Sequence, residues 1–148
     1  PKTVINSYCG VGNIFTLGPI SEGDLVLDIG CGAGVDTIFA AKTTGPTGTV
    51  VGVDLIPEML QRANKNLGLA NLDNVTYVEA SAERLPFQDK KFNTVISNGA
   101  FSLVPDKAKA LFEVFRVLKP GGRLMIADQV LVSEWPRERK QIIKSWSR

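Results

Sequence analysis

Short apolar runs rich in β-branched residues alternate along the chain with stretches that repeat apolar residues at helical spacing. The runs predict five strands: Leu25–Ile29, Thr49–Val53, Val75–Glu79, Phe92–Ser97 and Arg123–Ala127. The stretches between and after them predict four helices: Val35–Lys42, Pro57–Leu67, Asp106–Leu118 and Ser133–Trp146. This alternation is typical of a doubly wound α/β fold, in which helices cover both faces of a mostly parallel sheet. We expect one domain over residues 1–148, with 1–23 as an N-terminal lid or connector and 24–148 as the core.

Helix-capping residues support these assignments. Pro57 suits a first helical turn, and Gly68 is expected to stop the helix that Pro57 begins. Asp106 is a suitable N-cap, and the run Lys119–Gly122 is expected to end that helix and turn the chain into the last strand. Four apolar residues of this helix fall at helical spacing and are expected in the core: Leu111, Phe112, Phe115 and Leu118.

A glycine turn follows the first predicted strand. Gly30, Gly32 and Gly34 stand at alternate positions between that strand and a helix. Glycines there let the backbone turn tightly and approach a ligand closely, and the free N–H groups of the helix would face that ligand. The pattern predicts a nucleotide-type binding site.

Asp28 indicates which kind of nucleotide this is. A dinucleotide dehydrogenase uses Gly-x-Gly-x-x-Gly to hold a pyrophosphate, whereas here the spacing is Gly-x-Gly-x-Gly with an acid two residues earlier. A carboxylate would repel a pyrophosphate but would suit a cation. S-adenosylmethionine carries a sulfonium and an ammonium and no phosphate, so it is the expected cofactor, and a dehydrogenase is a distant alternative.

Polar residues also stand where the other strands should end. Asp54 could accept both ribose hydroxyls, or could cap the next helix. Ser81 or Glu83 could meet the adenine amino group, with Ala82 offering its backbone N–H, although a polar capping loop is an equal alternative. Asn98 is placed to hold the methionine end or the substrate. All belong to the carboxyl edge of the sheet, where open α/β folds bind ligands.

Four motifs together resemble those of a class I S-adenosylmethionine-dependent methyltransferase with a Rossmann-like fold: Asp28–Gly34, Gly52–Asp54, Ala82–Phe87 and Leu118–Leu124. The resemblance implies that Gly30 and Gly32 lie against the methionine part of the cofactor and that Asp54 holds its ribose. The product would be S-adenosylhomocysteine. The candidate cofactor-binding residues are Asp28, Gly30, Cys31, Gly32, Asp54, Leu55, Ser81, Ala82, Glu83 and Asn98.

Within this group the chain resembles the arsenite methyltransferase branch in four segments: Tyr8–Asn13, Gly45–Gly48, Ile96–Asn98 and Leu103–Lys107. That branch holds arsenic with cysteine thiolates. Two of those positions are Gly99 and Val11 here, with Cys9 two residues from Val11, and Cys31 is expected to be a small packed residue. We expect a methyltransferase for an unidentified small molecule. The alternatives are an arsenite methyltransferase with altered cysteine use and a non-catalytic cofactor-binding remnant.

Composition excludes several other classes. The chain of 148 residues has no histidine, which rules out Ser-His-Asp and Cys-His catalysis and His-containing zinc sites. Its two cysteines cannot form a disulfide framework, and no metal site is expected. A net charge of +2 gives no reason to expect nucleic acid or a membrane as partner, and the cytoplasm is the expected location. No catalytic residue is assigned, although Tyr8, Cys9, Asn98 and Asp128 could face the acceptor.

The end of the chain raises a question of assembly. The family sheet usually adds two strands as a reversed hairpin after the last helix, whereas this sequence stops at Arg148. We expect either a fragment or a fold without that hairpin. Self-association could then occur through the sheet edge or through Trp135 and Trp146 of the last helix, which could equally pack within the chain.

Overall fold

The computed structural model describes Tyr8 and residues 10–130. Five strands form: β1 (Leu25–Ile29), β2 (Thr49–Asp54), β3 (Val75–Glu79), β4 (Phe92–Asn98) and β5 (Leu118–Ala127). Three α-helices accompany them: α1 (Val35–Thr44), α2 (Pro57–Ala70) and α3 (Lys107–Val117). Two short 3-10 helices cover Ile14–Thr16 and Phe101–Leu103. The predicted strands and helices within residues 10–130 are therefore present, with β5 beginning earlier than Arg123.

The five strands form one sheet in the order β3-β2-β1-β4-β5, and every neighbouring pair is parallel. From β1 the chain moves outward to β2 and β3, then returns to place β4 on the other side of β1. The two directions meet between β1 and β4, and such a switch point opens a crevice at the carboxyl ends of the strands. The doubly wound α/β fold is confirmed.

Two apolar layers hold the helices onto the sheet. Alternate residues of a strand point to opposite faces, so Leu27 packs with α3 whereas Val26 packs with α1. The α3 side also includes the buried loop residues Ala82 and Leu85. On the α1 side, Ile14 is fully buried and anchors the N-terminal part of the described chain.

The end of α2 differs from the prediction. Gly68 lies inside the helix, and a Cβ added there would meet no atom within 4 Å. Asn71 closes the helix instead, with φ of 52° and its N–H donated to the Leu67 carbonyl. Asparagine tolerates the left-handed conformation because its short polar side chain can hydrogen-bond locally, so Gly68 was the wrong stop signal.

The predicted core face of α3 is also wrong. Leu111, Phe112 and Phe115 are 44%, 69% and 80% exposed, and we call them the outer face of α3. The helix instead buries Val114 and Val117, which are 1% and 0% exposed. The helix carries two apolar stripes and packs only the stripe with the smaller side chains on the sheet. Leu118, the fourth predicted core residue, is partly buried at the start of β5.

Several predictions fall outside the described residues. These are the helix over Ser133–Trp146 with Trp135 and Trp146, the thiol of Cys9, and residues 1–7 of the predicted lid. Among the helices of the described part of the chain, none is long and apolar enough to cross a membrane.

Candidate active site

A cavity of about 540 Å³ opens at the carboxyl ends of β1, β2 and β4. Small-molecule sites commonly span roughly 300 to 1,000 Å³, so the cavity is large enough for a cofactor of nucleoside size. All ten candidate residues line it: Asp28, Gly30, Cys31, Gly32, Asp54, Leu55, Ser81, Ala82, Glu83 and Asn98. The structure therefore brings together all ten residues predicted to bind the cofactor, while their roles toward a ligand remain predictions.

The glycine turn presents bare backbone to this cavity. Gly30 has φ of +70°, and a Cβ there would lie 2.2 Å from the Ala100 Cβ, so no other residue fits. Gly32 has φ of +52°, but a Cβ there would meet nothing within 4 Å. The N–H groups of Gly30 and Cys31 both donate to the Val53 carbonyl, at 2.8 and 3.0 Å. The turn is thus tied to β2 on one side and open to a ligand on the other.

Asp28 lies beneath the turn and is 2% exposed. The Thr37 hydroxyl, in the first turns of α1, donates to its carboxylate at 2.6 Å. Burial raises the pKa of Asp28 to about 7, the charges of Asp36 and Asp54 push it the same way, and the Thr37 hydrogen bond opposes them. A cation in the cavity would lower this pKa again, because it stabilises the charged form of the carboxyl.

Asp54, at the tip of β2, braces the turn. Its Oδ2 accepts from the Gly32 N–H at 2.8 Å and its Oδ1 from the Ile56 N–H at 3.0 Å. The N-cap residue of α2 is Ile56, and no side chain among the described residues makes a capping hydrogen bond at this end of the helix. The alternative role of Asp54 as a helix cap is therefore not observed. A carboxylate oxygen can accept two hydrogen bonds, so both oxygens retain capacity for a ligand.

The loop after β3 supplies the third group of candidates. The Ser81 hydroxyl accepts from the Glu83 N–H at 3.1 Å, and Glu83 accepts from the Asp106 N–H at 2.8 Å. Both side chains therefore brace the loop while lining the cavity. Leu55, across the cavity mouth, is 61% exposed and offers an apolar surface to a ligand.

Asn98, at the end of β4, faces the described N-terminal loop, which consists of Tyr8 and Gly10–Asn13. Its side-chain amide contacts Tyr8, Val11 and Gly12 of that loop. Tyr8 and Gly10 also line the cavity, so the loop forms one of its walls. The N-terminal segment was predicted to be a lid or a connector, and its described part contacts the site.

Sequence reasoning missed Asp36. Its half-buried carboxylate lines the cavity and accepts from the Asn98 amide at 3.0 Å. Burial raises the pKa of Asp36, and the hydrogen bond from Asn98 lowers it in part. The only signal was an acid in the first turn of a helix that follows a glycine turn, and acids are common in first turns for reasons of helix dipole alone.

Two further polar candidates are Asp128, which does not line the cavity, and Cys31, which does. The Asp128 carboxylate accepts from the backbone N–H groups of Ser102 and Gln129, at 2.9 and 2.7 Å, and so caps the loop after β5. Cys31 is a free thiol, 8% exposed, and burial raises its pKa. Its packing confirms the prediction of a small buried residue. Over residues 10–130 and Tyr8, no group of three or more His, Cys, Asp or Glu side chains could hold a metal ion.

Comparison with known proteins agrees with this geometry. Residues 20–148 match the family model described as a methyltransferase domain. An arsenite methyltransferase of Halobacterium salinarum is 39% identical over 86% of this chain and 32% of its own length. The ubiquinone/menaquinone biosynthesis C-methyltransferase UbiE of Pasteurella multocida is 42% identical over 74% of this chain and 41% of its own length. The chain thus spans less than half the length of both relatives.

A solved structure extends the likeness to three dimensions. An arsenic(III) S-adenosylmethionine methyltransferase from Chlamydomonas reinhardtii superposes with a TM-score of 0.81 and 35% identity, over 97% of this chain and 51% of its own. Together with the glycine turn and its flanking acids, these matches identify the cofactor as S-adenosylmethionine. The chain belongs to the methyltransferase-domain family, with the Rossmann-like fold of the class I S-adenosylmethionine-dependent enzymes.

Proposed function

We propose that the chain transfers the methyl group of S-adenosylmethionine to a small organic molecule that binds between the glycine turn and the N-terminal loop. The observation that carries this proposal is the placement of Asp28 and Asp54. These two carboxyl groups flank a bare-backbone turn at the tips of neighbouring strands, within one cavity. Such an arrangement attracts a cationic adenosyl donor and disfavours a phosphorylated one.

The shape of the cavity supports specific roles for the turn and the acids. The open space beside Gly32 admits the methionine part of the cofactor against the backbone. The free hydrogen-bonding capacity of Asp54 suits the two ribose hydroxyls. We assign the negative charge of Asp28, once ionised, to stabilising the positive charge of the donor.

The adenine would lie between Leu55 and the loop after β3. Leu55 presents an exposed apolar side chain at the cavity mouth, where a flat base could cover it. Glu83 uses one carboxylate oxygen to accept from Asp106, which leaves the other to accept from the adenine amino group. Ser81 and the backbone of Ala82 line the same side.

The sulfonium of the cofactor supplies a methyl group already attached to a good leaving group, so the protein has mainly to align and shield the reactants. We assign the shielding to Tyr8 and to the exposed apolar Leu103, which both line the cavity. The Asp36 carboxylate accepts from the same Asn98 amide that contacts Tyr8, and its raised pKa suits it to take a proton from an acceptor that must lose one.

Arsenite is the second candidate acceptor, and the 39% identity to an arsenite methyltransferase favours it. The described residues do not provide the thiolates that an arsenite site would need. Trivalent arsenic is bound by thiolates, and Cys31, the one thiol among residues 10–130, is buried within the glycine turn and has a raised pKa. Cys9 lies outside the described residues.

Calorimetry and an activity screen test the proposal together. We expect S-adenosylmethionine and S-adenosylhomocysteine to bind and NAD not to bind, with binding weakened at least tenfold in Asp54→Asn because a ribose contact is lost. Turnover should appear on an organic acceptor panel and be unchanged in Cys9→Ser. Turnover of arsenite that disappears in Cys9→Ser would establish the second candidate instead. Cofactor binding without any turnover would favour a non-catalytic protein, and binding of NAD alone would overturn the proposal.

A further inference from the structure

The side-chain amide of Asn98 is fully engaged by groups around the N-terminal loop. Its Nδ2 donates to the Tyr8 hydroxyl and to the Gly12 carbonyl, both at 2.7 Å, and to Asp36 at 3.0 Å. Its Oδ1 accepts from the backbone N–H groups of Val11 at 2.8 Å and Gly12 at 3.3 Å. An amide offers two protons and two lone pairs. The three acceptors share the two protons, and the two backbone N–H groups use both lone pairs, so no hydrogen-bonding capacity is left free.

The backbone partners fix which way the amide points. The N–H groups of Val11 and Gly12 can only donate, so they must face Oδ1, and the Gly12 carbonyl can only accept, so it must face Nδ2. The Tyr8 hydroxyl adds a closing contact, since it accepts from Asn98 and donates to the Gly12 carbonyl at 3.1 Å. One strand-end side chain therefore holds both the backbone and the aromatic residue of the loop.

The loop is packed directly against this amide. A Cβ added at Gly10 would lie 2.2 Å from the Tyr8 hydroxyl and 2.6 Å from Asn98 Nδ2. Beyond these contacts the loop is exposed, with Tyr8 40% and Val11 41% accessible. Its next firm anchor is Ile14, which is fully buried against the sheet. The loop is thus fixed at Ile14 and held at its other end through Asn98.

We propose that Asn98 is a positioning residue that latches the N-terminal loop over the cavity, and that release of this latch sets the rate at which the cofactor leaves. The inference rests on the proposed function of the cavity. Because Tyr8 and Gly10 form one cavity wall, a latched loop excludes water from the reacting groups and an open loop admits ligands. Asn98 acts here through the loop, since its amide has no donor to spare while the latch is closed.

Two variants of the same residue type on the same strand provide the comparison. Asn93, near the other end of β4, accepts from the Leu25 N–H and the Lys119 ammonium, and does not line the cavity. Asn98→Ala and Asn93→Ala each remove the hydrogen bonds of one asparagine, but only Asn98→Ala frees the loop. Tyr8→Phe removes the hydroxyl alone and should give a smaller effect in the same direction.

Hydrogen exchange of the Val11 and Gly12 amides reports on the latch without any cofactor. In Asn98→Ala we expect exchange at least roughly fivefold faster than in wild type, which corresponds to the loss of about 1 kcal/mol of hydrogen bonding, and unchanged exchange in Asn93→Ala. Stopped-flow release of S-adenosylhomocysteine should accelerate by a similar factor in Asn98→Ala and by a few fold in Tyr8→Phe.

The outcomes separate the two proposals. Unchanged exchange in Asn98→Ala would overturn the latch. Faster exchange with unchanged product release would overturn its control of cofactor exit. If the wild-type chain binds neither S-adenosylmethionine nor S-adenosylhomocysteine, the proposed function and the control of release both fail, whereas the exchange comparison still decides whether Asn98 holds the loop.

Discussion

The carboxyl edge of the sheet and the outer face of α3 are built in opposite ways. At the edge, short polar side chains are partly buried and hydrogen-bond to backbone: Asp54 to Gly32 and Ile56, and Asn98 to the N-terminal loop. On the outer face of α3, large apolar side chains stand exposed, and the described residues leave Phe115 80% accessible. Buried polar groups are costly unless satisfied, so the edge specifies one geometry, whereas exposed apolar groups specify none.

The edge should be intolerant of added atoms. Gly30→Ala places a Cβ 2.2 Å from the Ala100 Cβ at φ of +70°, so we expect a loss of at least about 3 kcal/mol in unfolding free energy and no measurable cofactor binding. Gly68→Ala is the matched control, because its site lies in a helix with free space, and it should gain about 0.5 to 1 kcal/mol. Chemical denaturation measures both variants. An unchanged unfolding free energy in Gly30→Ala would contradict the close packing of the glycine turn against Ala100.

Ionisation of Asp28 should lower the unfolding free energy of the ligand-free chain and strengthen its binding of S-adenosylmethionine. The pKa of Asp28 is about 7 in the folded chain and about 3.9 when unfolded. The stability that the protonated carboxyl contributes is therefore complete below pH 4 and is lost as the pH rises to 7. At pH 8, Asp28→Asn should raise the unfolding free energy of the ligand-free chain and weaken S-adenosylmethionine binding by roughly 30-fold.

Thermal unfolding at pH 5 and pH 8 measures the effect of Asp28 on stability, and calorimetry at the same two pH values measures its effect on cofactor affinity. In wild type the cofactor should bind more tightly at pH 8, because the donor cation favours ionised Asp28. Equal affinity for S-adenosylmethionine in the wild type and Asp28→Asn at pH 8 would show that the carboxylate does not recognise the cation.

Two neighbouring residues of α3 test whether its outer face contributes to stability. Val114→Ala removes a 1% exposed side chain and should cost about 1 to 2 kcal/mol, whereas Phe115→Ala, at 80% exposure, should change stability by less than about 0.5 kcal/mol. Urea denaturation of the two variants decides the matter. A cost for Phe115→Ala that matches Val114→Ala would mean that the outer face of α3 is covered in solution.

The smallest expected effect concerns Thr37, whose hydroxyl donates a hydrogen bond to the Asp28 carboxylate. Thr37→Val deletes this hydroxyl, and that hydrogen bond lowers the pKa of Asp28. The pH midpoint for S-adenosylmethionine binding should therefore rise by about one unit, with little change in affinity at pH 9. An unchanged midpoint in Thr37→Val would show that the pH dependence of cofactor binding does not arise from Asp28.

The carboxyl edge of the sheet and the outer face of α3 also differ in how well the sequence predicts them. The strands and the cavity residues were predictable, because Asp28, Gly30 and Asp54 act through local position: each stands at the end of a buried run. The outer face of α3 was not, since Phe112 and Val114 are equally apolar and only the sheet decides which stripe packs. The Asn98 contacts with Tyr8 join residues 90 positions apart, and no local pattern encodes them.

The central claim is that this cavity holds an adenosyl donor between the glycine turn and Asp54. A crystal structure of the chain with S-adenosylhomocysteine tests it most directly. We predict the ribose hydroxyls on the Asp54 carboxylate and the homocysteine chain against Gly30 and Gly32, beneath the loop held by Asn98. Ligand density outside this cavity, or a cavity left empty at saturating ligand, would contradict the account.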